Sequence, residues 1–379
     1  MQRITNLDFI RGVSVLGILI MNSLTFILHE SAYFNHPSSG VDGTFDWLLV
    51  FFSEIFISQK MMGLFSILFG AGIVLFIESA INKDYKNPIL LSFWRVILLF
   101  IFGTIHAVFW DGDILRIYAL SALIIFFLYK RNTSLLIFLS VFFTLISSVL
   151  AFIWQPWFDS QGNLIQSAAL TTTWTDNLGL STYWFQDSTK RGEAIYSYFG
   201  IDALFRAIGM MLLGVVLYRM NVLSGKLDIR VYKRMAIFGL VIGIPLGILS
   251  LVWLQARDYS PEIAIIGFVP NKLGIIPLVM AYIGILSILN NKVSSKLILY
   301  IRACGKMAFT NYITQTVLCL IFLGSFFEQG GLTRKEIILF VFLVWTIQIL
   351  WSKLWLDKFD QGPLEYLWRR LTYSFFKQH

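Results

Sequence analysis

Three side chains in the first third of the chain have the types and spacing for proton transfer. His106 ends a long apolar run, and the polar turn Trp110-Asp111-Gly112-Asp113 follows it at once. An imidazole takes or gives a proton near neutral pH, and a nearby carboxylate fixes its tautomer and raises its basicity. His106 is therefore the candidate general base, with Asp111 or Asp113 to orient it. The same residues admit a plainer account, in which His106 is a satisfied structural group, an aspartate caps the next helix, and Asp113 pairs with Arg116. Their spacing fits no strong metal motif, and no metal is expected.

Other polar residues interrupt apolar runs, where an ionisable group costs about 2.5–3.5 kcal/mol on insertion scales and so marks a possible function. Asp8 and Arg11 share one face at the start of the first run and can pair. Asn22 lies eleven residues after Arg11, about three helical turns on and on nearly the same face. Arg95 and His106 repeat that spacing. Asp202 and Arg206, four apart, form another expected pair, in which Arg206 could instead neutralise an anionic substrate. The run from Lys60 through Gly63, Ser66, Gly70 and Gly72 reads as close helix packing by small residues or as a ligand-facing helix. His29 and His36 flank the first outer loop and are expected to be solvated. Cys304 and Cys319 lie in apolar sequence and give no disulfide framework.

The elements that carry these residues are membrane helices. Of 379 residues, 57% are hydrophobic and 14% charged, with mean hydropathy +0.72, whereas a soluble domain carries about 25% charged residues. Apolar runs able to cross about 30 Å of hydrocarbon fall near 9–29, 61–80, 89–109, 113–130, 133–154, 199–219, 235–255, 273–290, 304–324 and 336–356. The fold class is an all-α integral membrane protein of about ten transmembrane helices. The first run has no small-residue cleavage site and reads as an uncleaved span.

With ten crossings, 21 of the 30 Lys and Arg residues fall on the N-terminal side. The positive-inside bias then puts both termini in the cytoplasm. A crossing at 45–59 would break that bias, so this stretch is expected to be a re-entrant or interfacial helix, the kind of irregular piece that lines cavities. Residues 155–197 are polar and expected outside, and 357–379 form a cytoplasmic amphipathic tail. The whole chain, 1–379, is one membrane domain, expected in a bacterial inner membrane. The net charge of +8 belongs to the topology, and no nucleic-acid partner is expected. No phosphate loop, nucleophile elbow or dinucleotide fingerprint is present.

Several motifs together resemble one family. They are Leu7-Asp8-Phe9-Ile10-Arg11-Gly12 with Gly17 and Asn22, the run Leu64 to Gly72, and His106 through Leu115. Gly305-Lys306-Met307-Ala308-Phe309-Thr310-Asn311-Tyr312 and Gly362-Pro363-Leu364-Glu365-Tyr366-Leu367-Trp368-Arg369 complete the set. The chain resembles, nearly end to end, the YeiB-like membrane family catalogued as domain of unknown function 418. Its opening is also similar to that of transmembrane acyltransferases, including the heparan N-acetyltransferase branch. The broad acyltransferase family carries a histidine where this chain has Asn22.

That distant similarity implies acyl transfer from cytosolic acyl-CoA, a co-substrate, to a small-molecule, glycan or lipid acceptor on the far side. His106, Asp111, Asp113 and Asn22 are the expected catalytic residues, with Asn22 donating to the oxyanion. Arg11, Arg95, Arg116, Arg206, Lys60, Ser66 and Asn311 are the expected substrate-binding set. Membrane lipids are expected partners. The alternative function is a transporter or exporter of a small or lipid-linked substrate, using the same buried charges as a binding or proton-relay site.

Overall fold

Backbone surrounded by lipid has to satisfy its own N–H and C=O groups, so long apolar runs fold as helices. The computed structural model describes residues 4–28, 30–33, 35–155, 193–293 and 295–374, and among these there are helices and turns but no strand. In chain order the α-helices are α1 (Thr5–Thr25), α2 (Thr44–Phe52), α3 (Lys60–Ile81), α4 (Pro88–Phe109), α5 (Leu115–Leu128), α6 (Thr133–Trp154) and α7 (Glu193–Arg219). They continue with α8 (Ile229–Ala256), α9 (Val269–Leu273), α10 (Ile275–Lys292), α11 (Lys296–Lys306), α12 (Ala308–Phe326), α13 (Arg334–Leu356) and α14 (Pro363–Ser374).

Nine stretches of the described residues are long and apolar enough to cross a membrane. The expected crossing at 113–130 is shorter than its apolar run. α5 has 14 residues, about 21 Å of helix at about 1.5 Å per residue, because the Asp111–Asp113 turn consumes the start of the run. The expected crossing at 304–324 is interrupted at Met307, where α11 ends and α12 begins. The polar segment expected outside falls, for residues 156–192, outside the described residues.

α1 forms the centre of the bundle. Its most apolar stretch is 78% buried, against 33% for α4, α6 and α8. The outward faces of those three helices carry Phe100, Ile105, Phe138, Phe142, Ile237 and Phe238. Lipid is the solvent that such a belt of large apolar side chains requires.

Two glycines bring α1 and α11 together. A Cβ built on Gly305 would stand 1.8 Å from the Asp8 carbonyl oxygen, and one on Gly12 would stand 2.1 Å from that of Ile301. Backbone meets backbone at this crossing, as small residues permit in membrane helix pairs. Gly70 and Gly214 do the same for α3 and α7, at 2.2 Å from the Met211 oxygen and 2.0 Å from the Ile67 oxygen.

The stretch at 45–59 is helical but not continuous with α3. After α2 a wider turn, Ser53–Ile57, closes with the Ser58 N–H donating to the Ser53 carbonyl, and Gln59 adopts φ 62°. This break turns Glu54, Ser58, Gln59 and Lys60 towards the interior. At the other end of the chain α14 packs on α4 and α12. The Glu365 carboxylate accepts from the Phe309 N–H (2.8 Å), the Thr310 N–H (3.1 Å) and the Thr310 hydroxyl (2.5 Å). It thereby caps α12, whose first N–H groups have no partner within the helix.

Candidate functional site: two cavities back to back

The larger cavity, about 610 Å³, lies at the end of the bundle where α1 and α4 begin. Its charged lining comprises Arg11, Lys83, Arg95, Lys306 and Arg369 against Asp8 and Glu365, while Phe65, Leu68, Phe69 and Tyr118 make its walls apolar. Asp8 accepts from Arg11 Nη1 at 3.3 Å, because residues three apart share a helix face. The Arg95 guanidinium is held between the rings of Phe76 and Trp368, 4.6 and 4.1 Å from their centroids. Stacking fixes the cation without neutralising it. A basic mouth above apolar walls suits an anionic headgroup with an apolar tail.

The smaller cavity, about 200 Å³, opens towards the other end of the bundle and is lined by Asn22, Glu54, Ser58, Gln59, Asp202, Arg206 and Lys272. The chain break at Gln59 delivers three of these, and α7 and α9 deliver the last three. Asp202 accepts from Ser147 (2.6 Å), Lys272 (2.5 Å) and Arg206. Lys272 also donates to the Tyr198 hydroxyl at 2.6 Å. The Lys60 ammonium, fully buried, donates to the Glu54 carbonyl at 2.6 Å and to the Asn271 side chain.

Ile18, Ile114 and Tyr312 belong to the linings of both cavities. They lie where the two spaces, one towards each end of the molecule, come together, and act as the partition they share. The Tyr312 hydroxyl accepts from the Ile114 N–H at 3.3 Å, so two of the three partition residues are tied together.

His106 stands behind this partition, not on it. Its Nδ1 is 2.7 Å from Asp113 Oδ1 and its Nε2 is 2.9 Å from Thr316 Oγ1. An ionised carboxylate only accepts, so Nδ1 donates to Asp113, and Nε2 shares the second hydrogen bond with the Thr316 hydroxyl. The ring is 5% exposed at most, packs against Tyr312 with centroids 5.2 Å apart, and lines neither cavity. Both ring nitrogens are engaged, and His106 is absent from the linings of these two cavities, so among the described residues its contacts are those of a packed group. Asp113, not Asp111, orients it, and Asp113 also accepts from the Arg116 N–H at 3.0 Å.

The other expected site residues divide. Arg11 and Arg95 line the larger cavity; Asn22 and Arg206 line the smaller one, and Lys60 is tied to its wall through Glu54. Arg116 pairs with Asp113 away from both. Ser66 is spent on the Met62 carbonyl and the Tyr118 hydroxyl, at 2.8 and 3.0 Å, which makes it a packing residue. Asn311 donates to the Cys304 carbonyl and to Ser352 and accepts from the Trp351 ring N–H, so it ties helices together and lies outside the linings of the two cavities. Among the described residues no group of three or more His, Cys, Asp or Glu side chains could hold a metal.

One pair was not legible in the sequence. His36, expected in solvent, is 1% exposed, and its Nε2 lies 3.5 Å from Glu54 Oε1. Rings of Tyr259 and Phe268 cover it. Glu54 lines the smaller cavity with His36 behind it, an imidazole–carboxylate pair with access to a ligand. His29 lies outside the described residues.

These features define a polytopic helical membrane protein with, among the described residues, a cavity towards each end of its bundle. The chain belongs to the YeiB-like DUF418 family. The family model described as "Protein of unknown function (DUF418)" matches residues 217–375. The chain is 30% identical to uncharacterized protein YeiB of Escherichia coli (strain K12), over 98% of this chain and 97% of that one. It is also 30% identical to uncharacterized protein YxaH of Bacillus subtilis (strain 168), over 98% and 94%. A 39.9 kDa uncharacterized protein encoded in the amylase 3′ region of Bacillus acidopullulyticus is 27% identical over 98% and 94%.

Proposed function

We propose that the protein transfers an acyl group across its partition, from cytosolic acyl-CoA in the larger cavity to an acceptor in the smaller one. The observation that carries this reading is the shared wall of Ile18, Ile114 and Tyr312 between a basic, apolar-walled cavity and a small polar one. In this reading the chain crosses a bacterial inner membrane ten times, with α5 as a short crossing and both termini cytoplasmic. Arg11, Arg95 and Arg369 meet the phosphates, and the apolar wall takes the acyl chain.

The reaction forms a C–O or C–N bond at the thioester carbonyl and breaks its C–S bond, and the thiol leaves with a proton. Glu54, backed by His36, takes the proton from the acceptor hydroxyl or amine, and Asn22 donates to the oxyanion. His106 keeps Tyr312 and the Asp113 turn in place. The test is thiol release from acyl-CoA by the purified protein in nanodiscs, with envelope extract as acceptor source. Release that is lost in Glu54→Gln and kept in correctly folded His106→Gln supports the scheme. No release from wild type refutes it.

A second reading, transport of a small or lipid-linked substrate, is favoured by the buried Lys60, Asp202, Arg206 and Lys272 cluster, since intramembrane charges often mark substrate or proton pathways. Counterflow in liposomes without thioester consumption distinguishes it.

A further inference from the structure

The guanidinium of Arg206 is only half used. Its Nη1 donates to Asp202 and, at 3.2 Å, to Gln59 Oε1. Among the described residues Nη2 has only the Met62 sulfur at 3.9 Å, and Nε has no hydrogen-bond partner although the residue is 5% exposed. Nε and Nη2 form one edge of the planar fork, the edge that grips a carboxylate with two parallel hydrogen bonds. A buried N–H without an acceptor costs about 1–3 kcal/mol, so a ligand that supplies one is stabilised.

The surroundings favour an anion. Among the described residues, the lining that holds Arg206 and Lys272, with Lys60 behind it, contributes two carboxylates, Asp202 and Glu54. Lys60 spends its hydrogen bonds on neutral oxygens. The volume of about 200 Å³ is below the range of about 300–1,000 Å³ for drug-sized ligands, which limits the occupant to a small molecule. Asn22, Ser58 and Gln59 line the same space and can meet its hydroxyl or amino groups.

We propose that the smaller cavity is a binding site for a small organic acid or an acid-bearing sugar, whose carboxylate docks on the Nε/Nη2 edge of Arg206. The proposal does not rest on acyl transfer, since the site serves equally an acceptor or a transported solute.

The test uses the full-length protein in nanodiscs and follows thermal unfolding with lactate, glutamate and glucuronate, against glycerol and glucose as uncharged counterparts and sulfate as a tetrahedral anion. The expected result is an upward shift with at least one carboxylate, absent with the uncharged counterparts and smaller with sulfate. Arg206→Lys keeps the charge and removes the fork, and should weaken the response about tenfold, as expected for one lost charge-assisted bond. Met62→Phe keeps every charge but replaces the sulfur beside Nη2 by a ring that blocks the edge, and should abolish it, which keeps the test decisive if Arg206→Lys fails to fold. The proposal is overturned by no shift with any of the three carboxylates, by an equal shift with sulfate, or by a response undiminished in both variants.

Discussion

His106 and Asp113 hold each other at 2.7 Å, across the end of α4, both buried. Removing the pair should appear as lost stability. His106→Ala leaves Asp113 Oδ1 and the Thr316 hydroxyl buried without partners, at about 1–3 kcal/mol for each group. Asp113→Asn keeps an acceptor for Nδ1 and should cost less. Thermal unfolding of the two variants in detergent checks the order, and Asp113→Asn being the more damaging would contradict it.

Gly305 and Gly12 should resist any enlargement. The Asp8 carbonyl 1.8 Å from a Cβ on Gly305 belongs to the backbone, so no rotamer change relieves the clash and the helices must separate. Gly305→Ala should cost about 3 kcal/mol, the upper range for overpacking. Gly72 in α3 has nothing within 4 Å of its Cβ site, and Gly72→Ala should be neutral or slightly stabilising. Monodispersity and unfolding temperature of the two purified variants give the comparison.

Glu365 ties α14 over the larger cavity through three hydrogen bonds to the start of α12. Glu365→Ala should cost about 0.5–2 kcal/mol, as for a lost helix cap. Trp368, which clamps Arg95 from the same helix, should loosen with it. Limited proteolysis should cut the variant after α13 faster than wild type. Equal rates would mean that the remaining contacts, among them the ring N–H groups of Trp94 and Trp368 donating to the Leu371 and Arg95 carbonyls, suffice to hold α14.

The membrane class and most crossings were legible because lipid imposes a single rule, that an apolar run of sufficient length becomes a helix. The end of α5 nearest the turn was not, since hydropathy does not register that Asp113 is drawn out of the run by His106. The His106–Asp113 contact needed only seven residues of spacing and was within reach of the sequence. His36 with Glu54 was not. Their meeting depends on the break at Gln59 and on Tyr259 and Phe268 arriving from more than 200 residues away. Lys272 was hidden for a similar reason: it stood at the edge of an expected crossing, and only the fold sets it 2.5 Å from Asp202. Nor does a motif report its own purpose. Asn311, in one of the motifs that carried the resemblance, binds helices together.

Tyr312 is where the functional reading is most exposed to test, because it is the largest of the three side chains that separate the cavities. Tyr312→Ala removes an aromatic ring from the partition and should join the two spaces, while Tyr312→Phe keeps the ring and loses only the acceptor of the Ile114 N–H. Truncating a buried aromatic costs about 3–5 kcal/mol, so each variant has to be shown folded first. In proteoliposomes, Tyr312→Ala should pass a small trapped anion faster than wild type, and Tyr312→Phe should not. If acyl-CoA is the donor, the same opening admits water to the thioester, and thiol release without acceptor should rise in Tyr312→Ala alone. A folded Tyr312→Ala that leaks nothing and releases no additional thiol would mean that Ile18 and Ile114 suffice as the wall, or that no path joins the cavities.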